Sequence, residues 1–570
     1  MTDNNLQKKV AELEAQVRKL KKNNLGLVFE DKTEDVVEQS KTQVPVLKEV
    51  TKNRLDLDEA YPNNLMIEGD NYLALSVLNY THKKNIDLIY IDPPFNTGAR
   101  DWKYNNDYVD SEDTYRHSKW LSFMNHRLRI AKDLLKDTGF IACAIDHYEL
   151  FTLGVLMDKI FGEQNRIGVV TVVHKPEGRQ FANFLSPSNE FMLVYAKNRQ
   201  VASFRDVVLD KEKEKEFNLS DEKGDYKLKN FIRLTDGKYS LRENKPEGFY
   251  PIYVSKDLKQ FSLGEKPGFE KALPITDKGV ERVWKTFGDT FLEKVKDDAI
   301  VAKRENGKIV LYEKLRPSQV FVTHWIKKDY HGYHFGTKVL EDILGSAKQF
   351  DFPKSLNLIT DVVKLMAKKD GVVLDFFAGS GTTGHAVLEM NKIDGGNRKF
   401  ILCTNNENNN GGNGGIAESV CYPRIKAVIN GYKNKKGEKV AGIPSNLSYY
   451  QTDLVDIEQI RKVPDDAKIR ITYEAGEMIA VREDTLDEVE KNEWWQIFEG
   501  KGKLTAIYFK EDKEKLAELI AKLEKKNLPT ALYIFSWGKN EYKGEYSTAN
   551  IRVEDIPEPI LEVYKELNRI

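Results

Sequence analysis

The sequence predicts an α/β protein built on a doubly wound, mostly parallel sheet, with an inserted module, an N-terminal helix and a separate α+β unit at the C-terminus. Three observations carry this expectation. Short apolar runs alternate with amphipathic stretches from about residue 64 to 204 and again from about 355 to 432, the rhythm of covered parallel strands. Between them, residues 205–338 lose that rhythm and become rich in Gly, Pro, Lys and Tyr. Two loops that end strands flank this interval: Ile91-Asp92-Pro93-Pro94-Phe95-Asn96-Thr97-Gly98 before it and Asp375-Phe376-Phe377-Ala378-Gly379-Ser380-Gly381-Thr382-Thr383 after it.

At 570 residues the chain is too long for one ordinary domain. The composition shifts partition it into 1–45 (helix or coiled coil), 46–204 and 339–439 (two halves of one α/β domain), 205–338 (insert) and 440–570 (C-terminal unit). Lys+Arg 88 against Asp+Glu 89 leaves the net charge near zero, so any nucleic-acid surface must be local. Cys143, Cys403 and Cys421 lack paired spacing and are expected as free thiols rather than disulfides or a zinc site. With no long apolar span and a charged N-terminus, a soluble cytoplasmic protein is expected.

Taken in order, Leu6, Val10, Leu13, Val17 and Leu20 form a heptad-like seam that suits a partner helix or the protein's own surface equally well. A strand at 65–67 leads through Glu68-Gly69-Asp70-Asn71 into a helix over 72–80. A strand over 87–91 follows, then a helix at 119–136, a strand at 140–145, a helix at 148–160 and strands at 167–173 and 191–197. Residues 210–216 are a solvated charge run, and the Asn/Gly-rich 405–415 reads as a mobile loop. Beyond 440, the runs 504–510, 513–526 and 530–536 spell a βαβ unit. Residues 453–493 are acidic enough to keep that face away from DNA.

The two loops carry the chemistry. The lone pair of an exocyclic amine on adenine or cytosine is delocalised into the ring, so the amine attacks a methyl donor only if acceptors take its N–H groups. The Asp92 carboxylate supplies one acceptor and the Pro93 carbonyl the other, held by the fixed φ of Pro93 and Pro94. Phe95 offers a face on which an extruded base can stack. Extrusion is required because the amine is out of reach within a duplex. Asp-Pro is also ordinary turn chemistry, and it is the position after a buried strand that makes the segment informative.

In the second loop, Gly379 and Gly381 permit the close approach of a cofactor. Asp375 can accept from a donor's ammonium group. No Gly-Lys-Ser/Thr ending follows, which argues against a nucleoside triphosphate. Gly379, Gly381 and Gly384 do match the dinucleotide spacing, so a dehydrogenase stays open on this motif alone. Glu407, with Asn406 beside it, is the candidate for ribose hydroxyls after the strand at 399–404. Asp70 can accept from the donor's adenine, or simply cap the following helix. His331 and His334 lack a ligand set and read as loop or DNA-backbone residues.

These residues together resemble the β group of DNA amino-methyltransferases, in which an Asp-Pro-Pro-aromatic loop precedes the target-recognition insert and the cofactor loop follows it. Within that group the chain is similar to the Mod subunits of type III restriction–modification systems. The segments that carry the likeness include 24–30, 67–71, 90–98, His117-Ser-Lys-Trp-Leu-Ser-Phe-Met124, Arg127-Leu128, Ile160-Phe-Gly162 with Asn165, Phe352-Pro-Lys-Ser355 and the Asp375 loop. They run co-linearly over about residues 24–432, apart from the insert.

The resemblance implies the S-adenosyl-methionine-dependent methyltransferase fold, S-adenosyl-methionine as donor and adenine N6 in duplex DNA as target. It implies Asp92, Pro93, Pro94 and Phe95 as the catalytic loop, and Asp70, Asp375, Phe377, Gly379, Gly381, Thr382, Glu407 and Lys354 as the cofactor set. It further implies a homodimer paired with a separately encoded Res helicase–nuclease. Most relatives carry Tyr at Phe95, which leaves the stacking face intact. Lys227, Lys229, Arg233 and Arg242, interleaved with Phe231, Tyr239, Tyr250 and Tyr253, make the insert the expected DNA reader, the rival being an ordinary surface insertion. The other readings are a stand-alone DNA amino-methyltransferase, adenine-N6 or cytosine-N4, without a nuclease partner, and an RNA or protein amide methyltransferase on the same fold.

Overall fold

The computed structural model describes residues 29–178, 184–235, 237–317, 321–346, 350–406, 415–460, 463–538, 542 and 544–568. The heptad-like seam near the N-terminus and Glu407 lie outside them. The chain divides into two compact units, Met1–Arg205 with Val322–Ile570, and Asp206–Phe321.

The first unit is organised by a ten-stranded sheet. In chain order its strands are β1 (Gln43–Glu49), β2 (Asn63–Glu68), β3 (Ile86–Ile91), β4 (Leu135–Ile145), β5 (Arg166–Val173), β6 (Asn189–Ala196), β7 (His324–Trp325), β8 (Val372–Asp375), β9 (Lys399–Thr404) and β10 (Asn446–Asp456). Their spatial order is β1-β10-β2-β9-β8-β3-β4-β6-β5-β7. The run from β10 to β4 is parallel throughout, whereas β1 and β6 run against their neighbours. The sheet is therefore mostly parallel, as its apolar runs require.

Helices α1 (Asn71–Thr81), α2 (Arg116–Leu134) and α3 (Leu150–Phe161) pack successively on one another, while α4 (Leu356–Met366), α5 (Thr382–Asp394) and α6 (Tyr422–Asn430) form a second group. Ile89 and Ile91 of β3 join the core beneath α1–α3. Strand alternation sends Leu88 and Tyr90 to the opposite face. Every residue of β3 is buried, because helices cover both faces of the sheet. Helix α1 starts where it does because the Asp70 side chain accepts from the Tyr72 N–H at 2.7 Å, the capping alternative raised by the sequence.

Two boundaries differ from the expectation. The main sheet resumes at β7, ahead of residue 338. Residues 446–456, expected in a separate C-terminal unit, form β10 between β1 and β2. The mixed polar composition of β10 hides it, since part of its pairing is cemented by side chains. The Asn64 amide donates to Ser445 Oγ at 2.7 Å and to the Asn446 carbonyl at 2.8 Å. Beyond it lies a five-stranded sheet, β11 (Asp487–Lys491), β12 (Trp495–Gly500), β13 (Lys503–Tyr508), β14 (Thr530–Phe535) and β15 (Ile551–Ile556), in that order. The helix Lys513–Lys526 joins the parallel pair β13 and β14, so the βαβ reading holds. Among the described residues no helix is long and apolar enough to cross a membrane.

The second unit has its own four-stranded and three-stranded sheets. Phe231, Ile252, Trp284, Phe291 and Leu311 are buried in its separate core.

Candidate active site

The two loops flagged in the sequence lie far apart in the chain and side by side in the fold. Strands β3 and β8 are parallel neighbours, with Leu88 opposite Val373 and Ile89 opposite Leu374. Their carboxyl ends therefore open at one edge of the sheet, where a doubly wound fold places its ligands.

The first loop is pinned on both sides of Phe95. The Pro94 carbonyl accepts from Trp120 Nε1 at 2.7 Å, which explains why the Trp of the His117–Met124 segment matters. Asn96 is buried and adopts a left-handed φ of 57°, a conformation that asparagine tolerates. Its amide donates to Glu149 Oε1 at 2.5 Å, and its carbonyl oxygen accepts from Trp102 Nε1 at 3.0 Å. Glu149 is itself fully buried and also holds His117 Nδ1 and the Thr152 hydroxyl. Nothing among the described residues donates to the Pro93 carbonyl, so it stays free to accept from an incoming amine.

Asp92 sits at the centre of a charge cluster. The Lys354 ammonium lies 3.1 Å from Asp92 Oδ1 and 2.5 Å from Glu190 Oε2, and 4.7 Å from the Phe95 ring centroid. The approach to Asp92 is off the hydrogen-bonding direction, so Oδ1 is buried with an ion-pair partner but no hydrogen bond. The Tyr90 hydroxyl on the same strand is likewise buried without a partner. Burial pushes the Asp92 carboxyl above the usual carboxylate range, with Lys354 opposing and Glu190 adding to the shift. Burial alone would lower the Lys354 ammonium, but Asp92 and Glu190 lift it above its ordinary value. It is therefore a permanent cation.

In the second loop, Gly379 and Gly381 have φ of 48° and 76°, left-handed values that glycine adopts at no steric cost. A Cβ on Gly381 would stand 3.0 Å from Cys421 Sγ. Asp375 accepts from the Phe377 N–H at 3.0 Å and from the Thr383 hydroxyl at 2.5 Å, and burial pushes its carboxyl up to about 7. Phe377 lies 5.8 Å from Phe123, ring to ring. The underside of the loop rests on Arg424 of α6, which is buried and donates to Thr382 Oγ1 at 2.8 Å and to Ser380 Oγ at 3.1 Å.

Asn71 ties α1 to the loop by donating to the Phe376 carbonyl at 3.1 Å, and Arg127 donates to Asn71 and to Asp70. The left-handed glycines and the buried acid at 375 fit a cationic, nucleoside-bearing donor between the loops.

Several nominated residues are placed differently from expectation. Lys354, assigned to the cofactor, has its ammonium on Asp92 and Glu190 instead. The hydroxyl of Thr382 is spent on Arg424, so it braces the loop from within. Asp70 takes up the capping role that the sequence left open beside donor binding, and remains 41% exposed. In the second unit, Phe231 is core rather than surface. Lys227 pairs with Glu216 at 2.5 Å and Arg242 with Glu281 at 2.8 Å, whereas Lys229 and Arg233 form no ion pair among the described residues. The His331 ring lies tilted against that of His334, 4.6 Å between centroids, and meets Glu177 Oε1 at 3.0 Å.

The sequence reading missed Glu190, Glu149 and Arg424. Glu190 is a lone carboxylate opening an apolar strand, and Arg424 falls on the same helical face as Ile425 and Val428. Both are polar residues at positions a burial pattern reserves for apolar ones.

Residues 86–409 match a protein family described as DNA methylase. The chain is 37% identical over 341 residues to a type II methyltransferase, M.KpnI of Klebsiella pneumoniae, covering 59% of this chain and 79% of that protein. It is 33% identical over 380 residues to the EcoPI Mod subunit, a type III restriction–modification enzyme of Escherichia phage P1, covering 60% of this chain and 58% of that protein. The chain thus spans little more than half the length of that Mod subunit. Among solved structures, the complex of M1.HpyAVI with SAM covers 64% of this chain and 97% of its own, at 13% identity and a TM-score of 0.28. A likeness that low carries no weight beside the strand order and the loops themselves.

Proposed function

The chain belongs to the DNA methylase family, and from that premise we propose that it transfers a methyl group to N6 of adenine in duplex DNA. The observation that carries the reading is the placement of Asp92-Pro93-Pro94-Phe95 and the Asp375–Gly381 loop at the ends of adjacent parallel strands. S-adenosyl-methionine, when bound, supplies an electrophilic methyl group. The protein's own part is positioning. The Asp92 carboxylate, 28% exposed, and the Pro93 carbonyl take the two N–H bonds of the amine, so that its lone pair turns toward the donor. Phe95 stacks on the base extruded from the duplex. Asp375, Phe377, Gly379, Gly381 and Asp70 face the donor, with Arg424 and Thr382 holding the loop from beneath. Asp92 also accepts the proton that the amine sheds, a role suited to a carboxyl whose proton affinity burial has raised.

We further place the chain as the modification and recognition subunit of a type III system. In this reading it acts in the cytoplasm as a homodimer, the unit Asp206–Phe321 reads the DNA sequence, and a separately encoded helicase–nuclease is the partner. One observation favours a second reading, a stand-alone methyltransferase: the match covers more of M.KpnI than of the EcoPI Mod subunit.

Long-read sequencing of DNA from a methylation-free host expressing the chain tests the activity. One sequence motif carrying N6-methyladenine is expected. N4-methylcytosine alone, or no modified base, would overturn the assignment to adenine. Co-purification with the product of an adjacent helicase–nuclease gene separates the type III reading from the stand-alone one.

A further inference from the structure

We propose that Lys354 reads the Watson–Crick edge of the extruded base, donating a hydrogen bond to adenine N1 while Asp92 accepts from the neighbouring N6 amine. This rests on the reading of the site as an adenine methyltransferase and names the specificity element within it.

An ammonium carries three N–H donors and no acceptor. In Lys354 one is directed at Glu190 Oε2, at 2.5 Å, and Asp92 Oδ1 lies 3.1 Å away without a well-aligned bond. At least one donor is left for a ligand, on an ammonium that lies beside the Asp92 carboxylate the catalytic amine must use.

Adenine presents the complementary pair on adjacent atoms, a donor at N6 and an acceptor at N1. Guanine and thymine have the opposite arrangement there, a carbonyl beside an N–H. They would set a carbonyl against Asp92 and an N–H against a cation. Two buried mismatches of that kind exclude them more strongly than a pocket of shape alone could.

Placement supports the same geometry. The ammonium lies over the Phe95 ring, 4.7 Å from its centroid, so a base stacked offset on that same face meets it edge-on. Lys354 is held there from two directions. Glu190, 8% exposed at the start of β6, fixes the ammonium. The neighbouring Pro353 carbonyl is packed so closely on Gly336 that a Cβ at 336 would lie 2.2 Å from it. The side chain of Lys354 is only 14% exposed. A buried cation with two carboxylates around it stays charged whether or not a base is present, which a donor to N1 requires. The same pattern accepts cytosine, whose N4 amine adjoins the N3 acceptor. Lys354 therefore separates amino bases from keto bases, and pocket size must separate adenine from cytosine.

The test uses duplex DNA containing the target motif with adenine, 1-deazaadenine or 7-deazaadenine at the methylated position. With the unaltered protein, 1-deazaadenine should lower kcat/KM about 10- to 100-fold, the loss expected for one charge-assisted hydrogen bond, and 7-deazaadenine should change it little. Lys354→Met should be slow on adenine yet treat adenine and 1-deazaadenine alike, and Lys354→Arg should restore discrimination. S-adenosyl-methionine affinity, measured by calorimetry, should be unchanged in both variants. The proposal is overturned if the unaltered protein does not distinguish 1-deazaadenine, if Lys354→Met still does, or if Lys354→Met loses donor binding. Failure of the unaltered protein to methylate adenine at all would instead remove the underlying assignment.

Discussion

Binding of the methyl donor should release a proton from Asp375. That carboxyl is buried at the end of β8, and burial pushes it up to about 7 from an ordinary 3.8, despite the hydrogen bonds it accepts from Thr383 and Phe377. A shift of that size corresponds to about 4 kcal/mol between its two protonation states. The sign follows from linkage. The group binds its proton more tightly folded than unfolded, so its contribution to stability is fully present below about 4 and is lost as pH rises through about 7. An ammonium group from the donor, seated against Asp375, reverses this by favouring the ionised form.

At pH 6 roughly nine-tenths of the free protein carries the proton. Close to one proton should therefore leave per donor bound, and affinity should fall about tenfold relative to pH 7.5 or above. Calorimetric titrations at pH 6, in buffers of differing ionisation enthalpy, count that proton directly. Asp375→Asn keeps the shape, its oxygen accepting from Phe377 and its NH2 donating to the Thr383 hydroxyl in place of accepting from it, but cannot ionise. It should release none and show a flat dependence between pH 5.5 and 7.5, with weaker binding at the upper end. If the unaltered protein releases no proton at pH 6, or if Asp375→Asn releases as many, Asp375 does not face the donor's ammonium group.

The other expectations concern chemistry, loop geometry and specificity. Asp92→Ala should leave donor binding nearly intact while single-turnover methyl transfer falls about a thousandfold or more; near-normal turnover would remove Asp92 from the mechanism. Phe95→Tyr should be tolerated, and Phe95→Ala should mainly weaken capture of the extruded base, seen as a rise in KM for DNA. Gly381→Val forces a β-branched residue into φ 76° and sets its Cβ 3.0 Å from Cys421 Sγ. A local cost of about 1–3 kcal/mol is expected, with loss of donor affinity by calorimetry while the melting temperature of the second unit stays unchanged. Replacing residues 206–321 with the equivalent interval of a relative should change the methylated sequence and leave N6 as the modified atom. A chimera that methylates its original target places recognition elsewhere.

Much of this molecule is local enough to be read from sequence. The apolar runs that became β3, β8 and β9, the Asp70 cap of α1 and the βαβ unit around Lys513–Lys526 each depend on residues within a few turns of one another. So do the left-handed glycines, because a strand-to-helix turn that approaches a ligand requires them. Tertiary structure decided what those elements face. Lys354 belongs to a segment that reads as part of the cofactor site, yet its ammonium lies on Asp92, because the chain entering α4 passes beside β6 and the end of β3.

Glu190 looks like an interruption of an apolar strand until the antiparallel placement of β6 brings it to Lys354. Arg424 looks like a misplaced charge until the cofactor loop is seen to rest on it. β10 reads as the start of a separate unit until Asn64 fastens it into the main sheet. Periodicity reports only how each segment meets its immediate surroundings. Which buried charge meets which depends on strand order, and that is settled by the packing of the whole sheet rather than by any segment alone.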